Sequence, residues 1–359
     1  MLELQETLKT VIIVIIGTIG LALFGIIFGL LYKGVDRKLS AHMQGRIGPP
    51  IRQPFRDVRK LFTKENIVPE NAIPWVFNLA PLAGLVGAIS ILLYLPIVPQ
   101  TNGGFTPLVS FGGDIILILY LLMIPSLAMV IGGFSSGSPY ATVGAQREMA
   151  TMIAYEFPLA IIIISIAWRL SLESGVSNVF TLSAISTTPL WGVVGPLGFI
   201  GLIILLLALV IVTPAELSKI PFDSPEAETE IAGGLLVEYS GRNLAMFYLT
   251  DGVKTVVMAS LIVALFFPYN LSPLFGLESY PAIIIDIIFF LVKILLVILF
   301  SVTLIRVAIA RLKIDQIVYT YWVPLTLLAL VGLICIMWDM TTMSPDGFGW
   351  PSIAEFLGL

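Results

Sequence analysis

Charge is scarce in this sequence. Lysine, arginine, aspartate and glutamate together make up 12% of its 359 residues, about half the share of an ordinary soluble domain. Cysteine and histidine are scarcer still, with one of each, Cys335 and His42. A lone cysteine excludes an internal disulfide, and no iron–sulfur cluster or zinc site can be assembled from this chain alone. No metal ligands are therefore assigned. Glycine-rich phosphate loops are missing too, which removes the usual nucleotide sites. What fills the sequence instead is apolar: 58% hydrophobic residues and a mean hydropathy of +1.01. Lipid is the solvent for most of the chain, and a net charge of −4 gives no cause to expect a nucleic-acid partner.

A hydrocarbon core of roughly 30 Å needs about 20 mainly apolar residues in a helix. Eight runs meet that length, at 11–32, 76–95, 114–134, 152–170, 196–214, 244–267, 282–305 and 319–340. The expected fold is an all-α polytopic membrane protein, one integral membrane domain over residues 1–359. The first run is followed by basic residues rather than by a small-residue cleavage site, so it reads as a spanning helix and not as a signal peptide. Fifteen of the nineteen lysines and arginines lie in the loops after the first, third, fifth and seventh runs. By the positive-inside rule those loops are cytoplasmic and both termini lie outside, in the cell membrane. Lys9 and Arg169 are on the other side, and Lys254 and Lys293 fall inside spans.

The first cytoplasmic loop, 33–75, holds nine of the basic residues. Within it Arg46-Ile-Gly48-Pro49-Pro50 reads as a stiff turn, because Gly48 permits unusual backbone angles and the prolines fix φ. From Pro54 the pattern becomes helical, with Phe55, Val58, Leu61 and Phe62 on one face and Arg52, Arg56, Arg59 and Lys60 on the others. A cytoplasmic amphipathic helix in the interface plane is expected. Its charge serves either lipid head-group contact or the docking of a soluble partner. The stiff turn, which a lipid anchor does not need, favours docking.

The acidic loop, 214–243, is the strongest anomaly. Glu216, Asp223, Glu226, Glu228, Glu230 and Glu238 put six carboxylates against two basic residues on the side where basic residues dominate. They are interleaved with Ile220, Phe222, Ile231, Leu235 and Leu236, a pattern of partial burial rather than of a solvated face. If the stretch from Pro225 is helical, Glu226 and Glu230 stand one turn apart and disfavour each other's ionisation.

Inside the spans, Glu156 precedes Pro158, where the backbone ladder is weakened and a polar side chain can be accommodated. A charge at mid-membrane costs about 2.5–3.5 kcal/mol on insertion scales, so such residues face the protein interior or a water path. A proton-handling role is the favoured reading of Glu156. Asp251 and Lys254 share a face at i, i+3 and can pair directly, which leaves structural and functional roles both open. Asp286 and Lys293 also share a face, two turns apart, and need other partners. The stretch SSGSPYATVGAQREM reads as a loop of small residues that lets helices or another chain approach closely, with Tyr140, Arg147 and Glu148 in it and Arg147 the nearest cation on the side of Glu156.

The run IPFDSPEAETEIAGGLLVEYSGRNLAMFYL resembles the most characteristic motif of the membrane H subunit of respiratory complex I. YATVGAQREMATMIAYEFPLA is similar to a second motif of that family and RVAIARLKIDQ to a third, and the resemblance extends over all eight runs. The first loop, HMQGRIGPPIRQPFRDVRKLF, is shorter than the complex I form. It resembles the membrane subunit of energy-converting nickel–iron hydrogenases and of the related archaeal sulfane sulfur reductases. Leu217-Ser218-Lys219 replaces the T-N-R that lines the quinone chamber in complex I.

The resemblance implies a coupling subunit. Arg46, Gly48, Pro49, Pro50, Arg56 and Lys60 would hold a hydrophilic arm of hydrogenase-like large and small subunits, which carry iron–sulfur clusters with or without nickel–iron. Glu216, Asp223, Glu226, Glu228 and Glu230 would lie beneath that arm. With Glu156, Tyr140, Arg147, Asp251 and Lys254 they would form a polar path toward antiporter-like membrane subunits that move H+ or Na+, all of it surrounded by lipid. No cofactor is expected in this chain itself. Two alternatives remain: a quinone-lining subunit of complex I, and a stand-alone ion transporter or structural anchor.

Overall fold

The computed structural model describes residues 2–100, 104–172, 178–276 and 280–343, and the side chains of 11–100, 104–172, 178–276 and 280–339 within them. Lys9 lies outside the described side chains. Eight helical segments in the described residues are long and apolar enough to cross a membrane: α1 (Leu2–Met43), α3 (Pro74–Leu92), α4 (Asp114–Ser135), α5 (Pro139–Leu170), α8 (Pro196–Glu216), α10 (Gly241–Phe266), Tyr280–Ala308 and Ile314–Asp339. The short helices between them are α2 (Gln53–Thr63), α6 (Leu182–Thr187), α7 (Leu190–Val193) and α9 (Glu228–Ile231). The molecule is an all-α polytopic membrane protein. Its β-structure, among the described residues, is one two-residue antiparallel pairing of β1 (Val98–Pro99) with β2 (Phe105–Thr106).

The last two spans are each interrupted by a π-turn. The seventh runs from α11 (Tyr280–Ile298) through Leu299–Thr303 into α12 (Leu304–Ala308). The eighth runs from α13 (Ile314–Thr320) through Tyr321–Leu325 into α14 (Thr326–Met343). Pro324 has no N–H to give the helical ladder, and the wider turn around it relieves the clash with the preceding carbonyl.

α10 is the axis of the bundle. From Val253 to Phe266 every residue of it is buried, and α1, α3, α11 and α8 pack against it. α1 is peripheral, and Ile12, Ile13, Ile15, Ile16 and Ile19 stay exposed, as lipid-facing residues do. Where α1 meets α10, Gly29 lies against the backbone of Gly252, and no side chain would fit between the helices.

Two helices are longer than their apolar runs. α1 continues eleven residues past Tyr32, to about 63 Å in all at 1.5 Å per residue. The extension is helical because its charged residues find partners: Lys33 and Asp36 are both 7% exposed, and Asp36 receives Arg306 at 3.0 Å and the Thr303 hydroxyl at 2.7 Å. α5 starts at Pro139, so Tyr140 and Arg147 are helical rather than in a loop. Pro139 at the first helical position is preset for the helix. The small residues that suggest a loop, Ala141, Gly144 and Ala145, are a buried packing face.

Asp286 and Lys293 do not pair with each other. The Asp286 carboxylate accepts from the Leu271 and Ser272 N–H groups and the Ser272 hydroxyl at 2.7–3.0 Å. Lys293 donates to the Phe267 and Tyr269 carbonyls at 3.0 and 2.8 Å. Together they tie down the segment after α10.

Candidate functional site

The four charged connections gather on one face, held by ion pairs between segments far apart in sequence. Arg37 of α1 lies 3.5 Å from Asp57 of α2, Arg306 reaches α1, and Arg147 and Arg311 both reach the acidic loop.

That loop is not one helix. After a 3-10 turn at Ser224–Glu226 the chain breaks at Ala227, makes the single turn α9, and passes through left-handed Ala232, Gly233 and Gly234. Glu226 and Glu230 therefore do not stack one turn apart. Glu230 turns outward to Arg147 at 2.6 Å, and Glu226 turns inward to a cavity. Asp223 receives Arg311 through two bonds, Nε at 2.9 Å and Nη2 at 2.5 Å, while Nη1 of the same guanidinium donates to Thr229 at 2.9 Å. The fork geometry of arginine permits this and lysine cannot reproduce it. Gly144 is in contact with Pro225 and Leu235, where a Cβ would press on the loop backbone. Small residues on α5 are thus what lets the acidic loop settle into the bundle. Glu228 is exposed, and Glu238 is half-buried.

Beneath the loop lies a cavity of about 190 Å³ lined by Lys33, Lys219, Glu216, Glu226, Asp251 and Lys254, among others. Asp251 does not pair with Lys254. It sits between Lys33 at 2.5 Å and Lys219 at 2.6 Å, while Lys254 turns to Glu216 at 2.9 Å. The i, i+3 spacing puts both residues on one side of α10, but α1 and the acidic loop bring closer partners to Asp251, and the end of α8 brings one to Lys254. Lys33 also lies 3.4 Å above the Tyr248 ring. Glu226, the loop member of this set, has its carboxyl pushed above the usual range by burial, against the pull of Lys219.

Deeper in, the charges continue. Glu216 and Lys254 are each 2% exposed, and Lys254 donates to Ser126 at 2.8 Å, which is 3.3 Å from the Tyr155 hydroxyl. Glu148, 1% exposed, meets the Ser218 hydroxyl at a long 3.4 Å, and its other oxygen has no hydrogen-bond partner. One oxygen of Glu156 is likewise without a partner. Glu156 and Glu216 share a second cavity, of about 320 Å³, that opens between α4 and α5 and is otherwise mostly apolar. Buried polar atoms are rarely left unsatisfied.

Not every expected member joins this line. Tyr140 is exposed on the first turn of α5, and Arg147 is engaged with Glu230 and the Ser224 carbonyl instead of Glu156. Three members, Lys33, Lys219 and Arg311, do not stand out from sequence, and Glu148 does so only as one charge of the small-residue segment. For Glu148 a signal exists: a carboxylate spaced eight residues from Glu156 in a segment of buried small residues.

The first loop meets its expectation in one half. α2 is amphipathic, with Val58 packed against Leu30 and Leu249. Arg46, Arg52, Arg56, Arg59 and Lys60 are exposed, Pro49 and Pro50 are exposed, and Ile47 is 100% exposed. Gly48 does not use a left-handed angle; Gly45 does, at φ 69°. Gly48 is needed for close approach instead, since a Cβ there would lie 2.9 Å from Cβ of Ala41 and 3.0 Å from Cα of Lys38.

Among the described residues, no group of three or more His, Cys, Asp or Glu side chains could hold a metal.

The family model described as NADH dehydrogenase matches residues 15–337. The H subunit of the NADH-quinone oxidoreductase of Anoxybacillus flavithermus is 33% identical over 342 residues, covering 92% of this chain and 95% of that protein. The H subunit of the F(420)H(2) dehydrogenase of Methanosarcina mazei is 30% identical with the same coverages. Hydrogenase-4 component C of Escherichia coli is 36% identical over 246 residues, 67% of this chain and 71% of that one. Among solved structures, a chain of the membrane-bound sulfane sulfur reductase, an archaeal respiratory membrane complex, superposes with a TM-score of 0.74 at 27% identity, over 90% of this chain and 99% of that one. The chain belongs to the NADH dehydrogenase family.

Proposed function

We propose that this chain is the membrane coupling subunit of a respiratory redox complex of the hydrogenase or sulfane-reductase type. It anchors a hydrophilic electron-transfer arm, and it links the redox reaction there to H+ or Na+ translocation through buried carboxylates. The clusters that carry electrons belong to the arm. The observation that carries the reading is the series of ionisable groups, from Glu226 and Asp251 through Glu216 and Lys254 to Glu148 and Glu156, running from the charged face into the bundle. Charged groups this close in a low-polarity interior feel one another strongly, so a charge change at the face is passed along the series. The charged face is cytoplasmic in this reading, the membrane is the cell membrane, and antiporter-like subunits continue the path from the α4–α5 side.

A quinone-lining role is the second reading, supported by the relatives that are subunits of NADH-quinone oxidoreductases. Against it, the cavity under the acidic loop is about 190 Å³ and is lined by the ion-paired Lys33, Asp251 and Lys219, whereas ligand pockets are usually about 300–1,000 Å³. The experiment is Glu156→Gln in the intact complex, assayed in sealed membrane vesicles. The reading expects electron transfer to continue while ion uptake per electron falls about tenfold or more; the second reading expects quinone-site inhibitors to stop electron transfer.

A further inference from the structure

The opposite end of the bundle holds a site that the coupling path does not use. A cavity of about 260 Å³ lies between the β1–β2 pairing, α6, the segment after α10 and α11, with Lys293, Asn270 and Ser183 in its wall. Lys293 spends two of its N–H groups on the Phe267 and Tyr269 carbonyls. An ammonium has three. No carboxylate lies within ion-pair distance of it among the described residues, because Asp286 is committed to the Leu271 and Ser272 amides. Its other neighbours are the Phe289 and Phe290 rings, at 4.9 and 5.9 Å. The Asn270 amide and the Ser183 hydroxyl make no hydrogen bond within the chain among the described residues, and the Asn270 Nδ2 points toward Gly104 at the cavity mouth.

A cation with no carboxylate in ion-pair contact among the described residues, sharing a cavity wall with two neutral donors that make no hydrogen bond there, is the chemistry of an oxyanion site. Beside it, Ile284, Ile288 and Val292 form an exposed apolar stripe on α11. Lysine side chains near a span's end extend toward the interface, where phosphate groups lie. We propose that this cavity binds a phosphate oxyanion, carried by a phospholipid head group or free in solution. Lys293 supplies the charge, and Asn270 and Ser183 supply hydrogen bonds.

The test uses the purified membrane complex containing the chain, in detergent. Phosphoglycerol lipid, phosphate-free diacylglycerol and inorganic phosphate are added separately, and binding is read by native mass spectrometry and by the shift in melting temperature. Wild type should retain the phosphoglycerol lipid over diacylglycerol, and Lys293→Gln should weaken that binding about tenfold, the loss expected for one charge-assisted contact. Because Lys293 also holds the segment after α10, Asn270→Asp is the second variant: it keeps the side-chain size, puts an internal anion in the cavity, and should abolish phosphate binding with the fold intact. Displacement of the lipid by millimolar inorganic phosphate assigns the site to the free ion; retention of the lipid under that challenge assigns it to the head group. Equal binding of phosphoglycerol lipid and diacylglycerol by wild type, together with no effect of inorganic phosphate, overturns the proposal. Undiminished phosphate binding in folded Asn270→Asp also overturns it.

Discussion

The basic and acidic loops lie on the same face and treat their charges in opposite ways. In the first loop Arg46, Arg52, Arg56, Arg59 and Lys60 are exposed, and none has a carboxylate within ion-pair distance among the described residues. In the second, Asp223 is held by Arg311, Glu230 by Arg147 and Glu216 by Lys254, while Glu226 is turned to a cavity. Beyond Lys33 and Arg37, which pair with Asp251 and Asp57, the basic loop leaves the charges from Arg46 to Lys60 exposed. The acidic loop spends its charge inside the chain, where low polarity makes each protonation state matter to its neighbours. Electrostatic complementarity across an interface governs encounter and orientation more than raw affinity, which suits a docking surface. Buried, mutually dependent carboxylates suit a coupling element.

The largest expected effect is on the buried pair. Glu216→Gln leaves Lys254 charged and uncompensated at 2% exposure, a loss of about 3–5 kcal/mol. Thermal unfolding of the purified complex should show it, and adding Lys254→Met should recover most of the loss. If Glu216→Gln alone is neutral, the acidic loop is not spending its charge internally and the contrast fails. Next comes the basic loop, where the double reversal Arg56→Glu/Lys60→Glu should leave the chain in the membrane with its fold unchanged. The arm should then dissociate on washing, with affinity lowered about tenfold or more and the salt dependence of association flattened. Retention of the arm at high salt would assign those residues to lipid head groups.

The smallest effect concerns pH. Burial raises the Glu226 carboxyl, so its folded-state pKa lies above the unfolded one. The stability linked to this group is fully present below the unfolded pKa and is lost as pH rises through the folded value. Glu226→Gln does not ionise. The variant should therefore gain stability relative to wild type as pH rises from about 4 toward neutrality, in melting curves taken across that range, and the two should converge at the acid end. A gap that widens toward acid would mean that Glu226 is held charged and not set apart.

Much of the fold is legible in the sequence, because spans are fixed by length and apolarity and the basic residues fall on alternate loops. The acidic anomaly is legible for the same reason, as a break in that charge pattern. The partners are not. Spacing along α10 pairs Asp251 with Lys254, but pairing is decided by what other helices bring near, and Lys33 and Lys219 are remote in sequence. The start of α5 reads as a loop because glycine and alanine that favour loops also permit close helix packing, and only the acidic loop lying on Gly144 reveals which use is made of them. Gly48 reads as a residue chosen for its backbone angles, whereas close approach is what selects it, and both demands favour glycine.

Glu148 offers the most direct test of coupling. It is buried, takes part in no ion pair among the described residues, and has one oxygen without a hydrogen-bond partner, so Glu148→Gln changes its ability to hold a proton while keeping its shape. Ion uptake and electron transfer measured together in sealed vesicles of the intact complex decide the matter. A coupling role predicts that electron transfer persists while ions moved per electron fall at least about tenfold, a barrier change of about 1.4 kcal/mol or more. An unchanged ratio of ions to electrons in Glu148→Gln would contradict it.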